Sequence, residues 1–252
     1  MNFSALRLAG LALVLGVLPA APAAEPAILA KARAFLGADA TLNAVTSIHI
    51  VGTLSVVDSA EPAKEAKGSI DIIFQKPDQQ RVQVAADDNV ETTALDGFDG
   101  WRRLEDLKDA KNWKLDLLGP DALKGLRANT WENLDFYHGI ESRGGRIEEQ
   151  GSMSIDGVDC FKLVFRYTEK IYFYRYFEKT TGRLVFSQTG TGDMIREKGE
   201  MRVNGVRFPQ SIVQITKIGE GRNRTTTMVF TKITTNEKFP DSMFRLPSVT
   251  GK

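Results

Sequence analysis

The hydrophobic pattern changes from a helical period to a period of two near the beginning of the chain. Between Pro26 and Gly37 apolar residues recur at helical spacing, with proline at the start and glycine at the end, so a helix is predicted. From Ser47 to Val56 apolar and polar residues alternate, which is typical of a strand with one buried face. Most of the later chain repeats this alternation.

Short alternating segments separated by Pro, Asp, Asn and Gly predict about ten strands in an antiparallel meander. Asn204-Gly205 carries the strongest hairpin signal. Helices that could cross between parallel strands are missing from most connections, which excludes a parallel sheet. After the first strand, the predicted strands are 68–75, 81–85, 90–95, 147–155, 158–167, 170–177, 183–188, 195–203, 206–218 and 222–234.

The middle of the chain returns to helical spacing. From Pro120 to His138 the apolar residues Leu123, Leu126, Trp131, Leu134 and Phe136 follow a loose helical spacing, which predicts one or two helices. The fold class is therefore mainly β (α+β), with an N-terminal helix and a central helical segment. Residues 24–252 are expected to form one domain, since all-β chains of this length are often undivided.

One predicted strand is densely aromatic on both sides. Tyr172, Tyr174 and Tyr176 share one face, while Phe173 and Arg175 lie on the other. Either the sheet is covered on both faces by core and helices, or one face lines an apolar cavity. The pattern leaves both possibilities open.

The N-terminal residues form a pattern of their own. One positive charge, Arg7, precedes an apolar run at 8–18, which is shorter than the ~20 residues of a membrane helix. Ala21 and Ala23 fit the A-x-A rule, so we expect a cleaved secretory signal, Met1–Ala23, and a periplasmic protein. No cysteine follows the cleavage region and no other long apolar run occurs. We therefore expect neither a lipid anchor nor a membrane span in the mature chain.

Charge and cysteine content narrow the possible functions. The net charge is +1, so bulk electrostatics do not favour nucleic acid as a partner. Cys160 is the single cysteine, which rules out an internal disulfide. It lies between apolar residues of a predicted strand, where we expect a buried small hydrophobe rather than a reactive thiol.

Motifs for catalysis are weak. The two histidines, His49 and His138, have no partner at zinc-binding spacing. There is no G-x-S-x-G elbow, and Gly190-Thr191-Gly192 does not continue into a dinucleotide-binding motif. We expect no enzyme activity, no metal and no cofactor.

One acidic cluster leaves a hydrolase as an alternative. Asp96, Asp99, Glu105 and Asp106 lie near Trp101, and paired carboxylates beside an aromatic ring could serve a glycosidase. Both Asp96 and Asp99 precede a glycine, however, and Asp-Gly pairs are common in turns. Turn formation is the simpler explanation.

Five segments, in order, resemble LolA-like outer-membrane lipoprotein-sorting proteins. They resemble, in turn, the family's "dG…W" segment, its "v-dG-x-x-c/y-x-l" strand pair, its "yyfD-xx-TG-L" hairpin, its "vnGvxfP" hairpin and its "N-xx-xPdxxF" close. The segments are Thr92–Trp101, Ile155–Leu163, Tyr174–Leu184, Arg202–Pro209 and Asn236–Phe244. Glu178 stands where the family usually has aspartate.

The resemblance implies the LolA/LolB/RseB-type fold: a curved antiparallel sheet forming an incomplete β-barrel, with helices over its concave face. It also implies a hydrophobic cavity that takes acyl chains, with 120–138 and 26–37 as candidate lids. Candidate lining residues are Ile70, Ile72, Phe74, Val82, Val84, Trp101, Leu163, Phe165 and Phe173. Candidate lid residues are Leu123, Leu126, Trp131 and Phe136.

The function expected from this resemblance is a periplasmic carrier or binding protein for an apolar, acyl-chain-bearing lipoprotein or lipid. A role in outer-membrane lipoprotein sorting fits. Its partners would be the acyl chain and proteins of the envelope. A second possibility is an envelope sensor domain of the same fold with a protein partner and a filled core. The acidic-patch hydrolase is the third.

Overall fold

The structure is a computed structural model that describes residues 25–109 and 111–248. The expected signal sequence, Met1–Ala23, lies outside the described residues. Within these two ranges no helix is both long and apolar enough to cross a membrane.

Strands form most of the described chain, and helices occur at two places. The helices are α1 (Ala27–Leu36), α2 (Asp39–Asn43) and α3 (Pro120–Leu134), with short 3-10 turns at Glu141–Arg143 and Asp241–Met243. The strands are β1 (Ser47–Asp58), β2 (Glu65–Gln75), β3 (Gln79–Ala86), β4 (Asn89–Asp96), β5 (Asp99–Asp106), β6 (Trp113–Leu117), β7 (Arg146–Ile155), β8 (Val158–Arg166), β9 (Tyr172–Glu178), β10 (Leu184–Thr189), β11 (Met194–Lys198), β12 (Met201–Val203), β13 (Val206–Phe208), β14 (Ser211–Gly219) and β15 (Arg222–Thr235).

The described strands form one 13-stranded antiparallel sheet and one separate hairpin, β12–β13. The order in the sheet is β6-β5-β4-β3-β2-β1-β15-β14-β11-β10-β9-β8-β7. The first and last strands, β1 and β15, pair at its centre and join the two halves of the chain. The sheet does not close into a barrel. The predicted fold class is confirmed.

Contacts of α3 show that the sheet is strongly curved. Thr130 donates a hydrogen bond to Gln80 on β3 (3.1 Å), and Glu132, two residues later, forms an ion pair with Arg175 on β9. Strands β3 and β9 are seven positions apart in the sheet order, which would separate them by ~34 Å in a flat sheet. Neighbouring helix residues can reach both strands only if the sheet wraps around α3. We call the face that carries α3 the inner face.

Two predicted strands, 195–203 and 206–218, are each broken in the structure. The chain leaves the sheet after Lys198 and returns at Ser211, and the intervening β12–β13 hairpin lies apart. Gly199 has a left-handed φ of 68°, and Pro209 cannot donate to a ladder, so both ends favour a break. The Asn204-Gly205 turn is confirmed: both residues have positive φ, as a type I′ turn requires.

The prediction missed three elements. Strands β5 and β6 escaped because Asp-Gly pairs and charges dominate 96–116 and hide the alternation. Helix α2 is only five residues long, too short to show a period. Both predicted helical regions are present, as α1 and α3.

Two clusters of buried side chains lie between the inner face of the sheet and the helices. The first core cluster lies under α2 and the end of α3, and the second lies under α1. The first comprises Leu42, Val45, Ile48, Ile50, Ile70, Phe74, Leu134, Phe136, Val206, Phe208, Phe230 and Ile233. The second comprises Ile28, Leu29, Ala32, Ile140, Leu163, Phe165 and Phe177.

The C-terminal segment after β15 packs on the outer face. Trp101 Nε1 donates a hydrogen bond to the carbonyl oxygen of Phe244 (2.8 Å), and Phe244 is fully buried. His49 lies on the same face, edge-on to Phe239 and within 3.1 Å of an Asp71 carboxylate oxygen. Cys160 is buried and free, as predicted.

Candidate ligand cavity

A cavity of about 210 Å³ lies between α3 and the inner face of the sheet. Its lining contains apolar and polar side chains, which we call the apolar wall and the polar wall. The apolar wall consists of Leu36, Ile48, Ile50, Phe136, Phe208, Pro209, Ile212, Phe230 and Ile233, with Phe173 and Ile195 beside it. The polar wall consists of Asn129, Glu132, Asn133, Tyr137, Arg175, Ser187, Glu197 and Arg207.

Helix α3 presents its polar face to the cavity. Asn129, Glu132 and Asn133 are spaced i, i+3 and i+4 and therefore lie on one side of the helix. The Asn129 amide donates to Gln80 (3.1 Å), and the Asn133 amide donates to the backbone of Asn129 (2.8 Å). These bonds fix the two amides at the cavity edge.

Arg175 is the central charge of the polar wall. Its guanidinium pairs with Glu132 and reaches Ser187 Oγ at 3.4 Å. It also lies over the ring of Tyr137, 5.3 Å from the centroid. Burial lowers the pKa of Arg175 to about 10, an effect that the nearby Glu197 carboxylate partly offsets. The group remains charged at neutral pH.

The partner of Arg175 is held from a second side. Tyr167 Oη donates a hydrogen bond to Glu132 Oε1 at 2.6 Å. Burial raises the pKa of the Tyr167 hydroxyl, so Tyr167 stays a donor at neutral pH. Glu132 therefore ties α3 both to β9 and to the segment after β8.

Glu197 on β11 has a different environment. The residue is exposed and lines the cavity. Desolvation raises the pKa of its carboxyl group, and the nearby Arg175 opposes this shift. In the described ranges, no hydrogen bond or ion pair to the carboxylate is present.

Only one of the nine predicted lining residues, Phe173, lines the cavity. Ile70 and Phe74 are in the first core cluster, with Ile72 and Val84 packed against it, and Val82 is half-buried. Leu163 and Phe165 are in the second core cluster.

Trp101 was placed incorrectly by the prediction. It pairs across the ladder with Ala94, while its neighbour Gly100 pairs with Leu95 on the inner side. The indole lies on the outer face and binds the C-terminal segment. Alternation fixes which residues share a face, but it does not tell which face is concave.

The predicted lid residues also have different positions. Phe136, just after α3, is buried and lines the cavity. Leu123 lies against Gly100: a Cβ added at Gly100 would come within 2.7 Å of the Leu123 side chain. Neither Leu126 nor Trp131 lines the cavity. Leu126 is half-buried, and Trp131 Nε1 donates a hydrogen bond to Asp78.

The aromatic strand is arranged as its alternation predicts. Phe173 and Arg175 line the cavity on the inner side. Tyr172 and Tyr174 lie on the outer face, where cations cover them: Lys162 Nζ is 4.2 Å from the Tyr174 centroid. The structure therefore combines the two possibilities, with a covered outer face and an inner face that borders a cavity.

The acidic residues of the hydrolase alternative do not converge. Asp96 and Asp99 oppose each other at one end of the β4–β5 hairpin. Glu105 and Asp106 lie at the far end of β5, ~20 Å along the strand. Across the two described ranges, no group of three or more His, Cys, Asp or Glu side chains could hold a metal ion.

Three solved structures share this architecture. A DUF1329 family protein from Desulfovibrio piger is 12% identical over 87% of this chain and 96% of its own length, with a TM-score of 0.56. A LolA superfamily protein from Nitrosomonas europaea has the same identity and coverages and a TM-score of 0.57. A domain from Vibrio parahaemolyticus, described as an outer membrane lipoprotein-sorting protein, is 10% identical over 86% and 94%, with a TM-score of 0.53. No protein-family model matches the sequence, and no curated protein is similar to it.

Proposed function

We propose that this chain, which has a LolA-like fold, is a carrier or binding protein. It would hold the hydrocarbon chain of a lipid or lipoprotein in the cavity under α3. We propose the periplasm as its location, with the expected signal sequence as support. Outer membrane lipoprotein sorting, the role named for the Vibrio domain, is the process we propose for it.

The observation that carries this proposal is the apolar wall of the cavity. Ile50, Phe230 and Ile233 belong to the first core cluster and also line this unfilled space. A hydrocarbon chain that covered this wall would gain ~0.8 kcal/mol for each buried methylene. Such a gain is large enough for retention and needs no covalent bond.

The cavity must enlarge to take a long chain. Its volume of about 210 Å³ is below the ~300–1,000 Å³ of most ligand sites. We infer that α3 is the movable wall, because polar contacts from Thr130, Trp131 and Glu132 hold its C-terminal half. Polar contacts can be exchanged for water or ligand with little net cost.

Uptake of an uncharged lipid tests the proposal. A fluorescent monoacylglycerol should bind the purified protein, and native mass spectrometry should find lipid that co-purifies. Ile195→Trp, which fills the cavity, should abolish both signals. Met194→Trp is the matched control, since the neighbouring residue is 38% exposed and points to the opposite face. Absence of uptake by the unmodified chain would contradict the proposal.

The small volume also supports a second candidate, an envelope sensor domain that binds a protein partner. In that case the filled inner face is structural, and the surface carries the function. Crosslinking in the envelope should then capture the same partner with Ile195→Trp and with the unmodified chain. Loss of the crosslink in Ile195→Trp alone would favour the carrier.

A further inference from the structure

The polar wall of the cavity carries two acidic side chains, Glu132 and Glu197, and two basic ones, Arg175 and Arg207. Arg207 is paired with Glu200 outside the lining. Arg175 is already engaged by Glu132, and the remaining oxygen of Glu132 accepts from Tyr167. The protein's own contacts therefore satisfy one carboxylate of the two.

Glu197 is the one charged side chain of this wall that forms no ion pair in the described chain, while the buried Nε atoms of Arg175 and Arg207 are donors without an acceptor. Within residues 25–109 and 111–248, no donor reaches the Glu197 carboxylate, although the residue lines the cavity. A partly desolvated carboxylate without a donor is less stable than one in water, and desolvation raises the pKa of Glu197. A ligand group that donates hydrogen bonds would relieve it.

The neighbouring donors would have to break existing contacts in order to reach Glu197. The Asn129 amide is bonded to Gln80, and the Asn133 amide to the backbone of its own helix. Arg175 would have to give up Glu132. A missing donor at this position is therefore most simply supplied from within the cavity.

We propose that the polar wall is a head-group subsite, in which Glu197 accepts hydrogen bonds from an ammonium or other donor group of the bound amphiphile. This inference rests on the proposed function, because the chain of the same ligand would lie on the apolar wall. The subsite selects cationic over anionic head groups.

Rejection of anions follows from the same charges. A carboxylate or phosphate head group would be a further negative charge beside Glu132 and Glu197. The two cations of the polar wall are already in ion pairs, Arg175 with Glu132 and Arg207 with Glu200. Like charges in a poorly solvated site repel strongly. An ammonium group balances the total instead.

Three ligands with one chain and different heads test the inference: decylamine, decanol and decanoate, titrated calorimetrically at neutral pH below their micelle concentrations. Decylammonium should bind about tenfold or more tightly than decanoate, as expected for a hydrogen bond between charged groups. Glu197→Gln should lower the affinity for decylammonium by about the same factor and leave decanol nearly unchanged.

Glu220→Gln is the matched control, because it removes the same charge from an exposed turn between β14 and β15. Its ligand ranking should equal that of the unmodified chain, and thermal melts should show that both variants fold. Equal affinity for all three ligands would overturn the head-group inference and leave the carrier proposal standing. Tighter binding of decanoate would also overturn it and would assign the head group to Arg175. Failure of all three to bind would overturn the carrier proposal and the subsite with it.

Discussion

Helices α1 and α3 cover the same face of the sheet, but different forces hold them there. Helix α1 inserts Ile28, Leu29 and Ala32 into the second core cluster, and its backbone lies so close to Gly182 that a Cβ there would come within 2.4 Å of it. Helix α3 is half as long again, yet its fully buried side chains are Ala128, Thr130 and Leu134. The large one, Leu134, is its last residue.

The comparison indicates which cover can move. Removal of α1 would expose a packed apolar cluster, whereas α3 is held in its C-terminal half by polar contacts that water could replace. Arg33 of α1 donates to the carbonyl oxygens of Asp135 and Phe136, just beyond α3. We infer that α1 fixes the C-terminal end of α3 as a pivot and that the rest of α3 opens the cavity.

The largest expected effect separates the two helices directly. Leu29→Ala should lower the free energy of unfolding by about 3 kcal/mol, because it leaves a cavity in a fully packed cluster. Leu126→Ala, the matched change on α3, should cost about 1 kcal/mol, since its side chain is only half-buried. Urea unfolding measures both. Equal losses would contradict the asymmetry.

The next effect concerns the pivot. Arg33→Met should cost about 2–3 kcal/mol, since it leaves buried carbonyl oxygens without donors. Arg33→Lys keeps the charge without the planar guanidinium group, so its stability should lie between those of the unmodified chain and Arg33→Met. In hydrogen exchange, α3 should lose protection in Arg33→Met. Unchanged exchange in α3 would show that Arg33 does not hold it.

A smaller effect tests the polar contact of α3. Tyr167→Phe removes the donor to Glu132 and should cost about 1 kcal/mol while speeding uptake of monoacylglycerol in stopped-flow fluorescence. Tyr174→Phe removes a hydroxyl on the outer face, where no hydrogen bond to it is present in the described chain. It should change neither quantity. Faster uptake in both variants would show that the uptake rate does not depend on the hydrogen bond between Tyr167 and Glu132.

The smallest effect is the pH dependence of Glu197. Burial raises its pKa above the value in the unfolded chain, so the folded state binds the proton more tightly. Stability should therefore fall as pH rises from the ordinary glutamate pKa through the raised one, and Glu197→Gln should lack this fall. Urea unfolding at about pH 5 and about pH 8 should show the variant gaining stability relative to the parent chain. A constant difference would show that the pKa is not raised.

The sequence predicted the fold better than the site, for a physical reason. Alternation and turn residues report local geometry, so β1, α1 and the Asn204-Gly205 turn were all identified. The return of the chain from Lys198 to Ser211 depends on what packs over it, which no local pattern records. The curvature of the sheet likewise arises from contacts between distant strands.

The site was missed because its residues resemble a solvent-exposed surface. Asn129, Glu132 and Asn133 have the spacing of a polar helix face, which usually points to water. Arg175 within an aromatic strand was the one available signal, since a charge between Phe173 and Phe177 requires a partner or a cavity. The apolar residues chosen instead fill the core.

The most direct test of the account measures the motion of α3 itself. Spin labels at Lys124→Cys on α3 and Lys217→Cys on β14 report their separation by pulsed electron resonance, and Ala30→Cys on α1 paired with Lys217→Cys is the control; all three sites are exposed. With saturating monoacylglycerol, the distance from position 124 should increase while that from position 30 stays constant. Equal behaviour of both pairs, with lipid bound, would contradict the claim that α3 opens over a fixed α1.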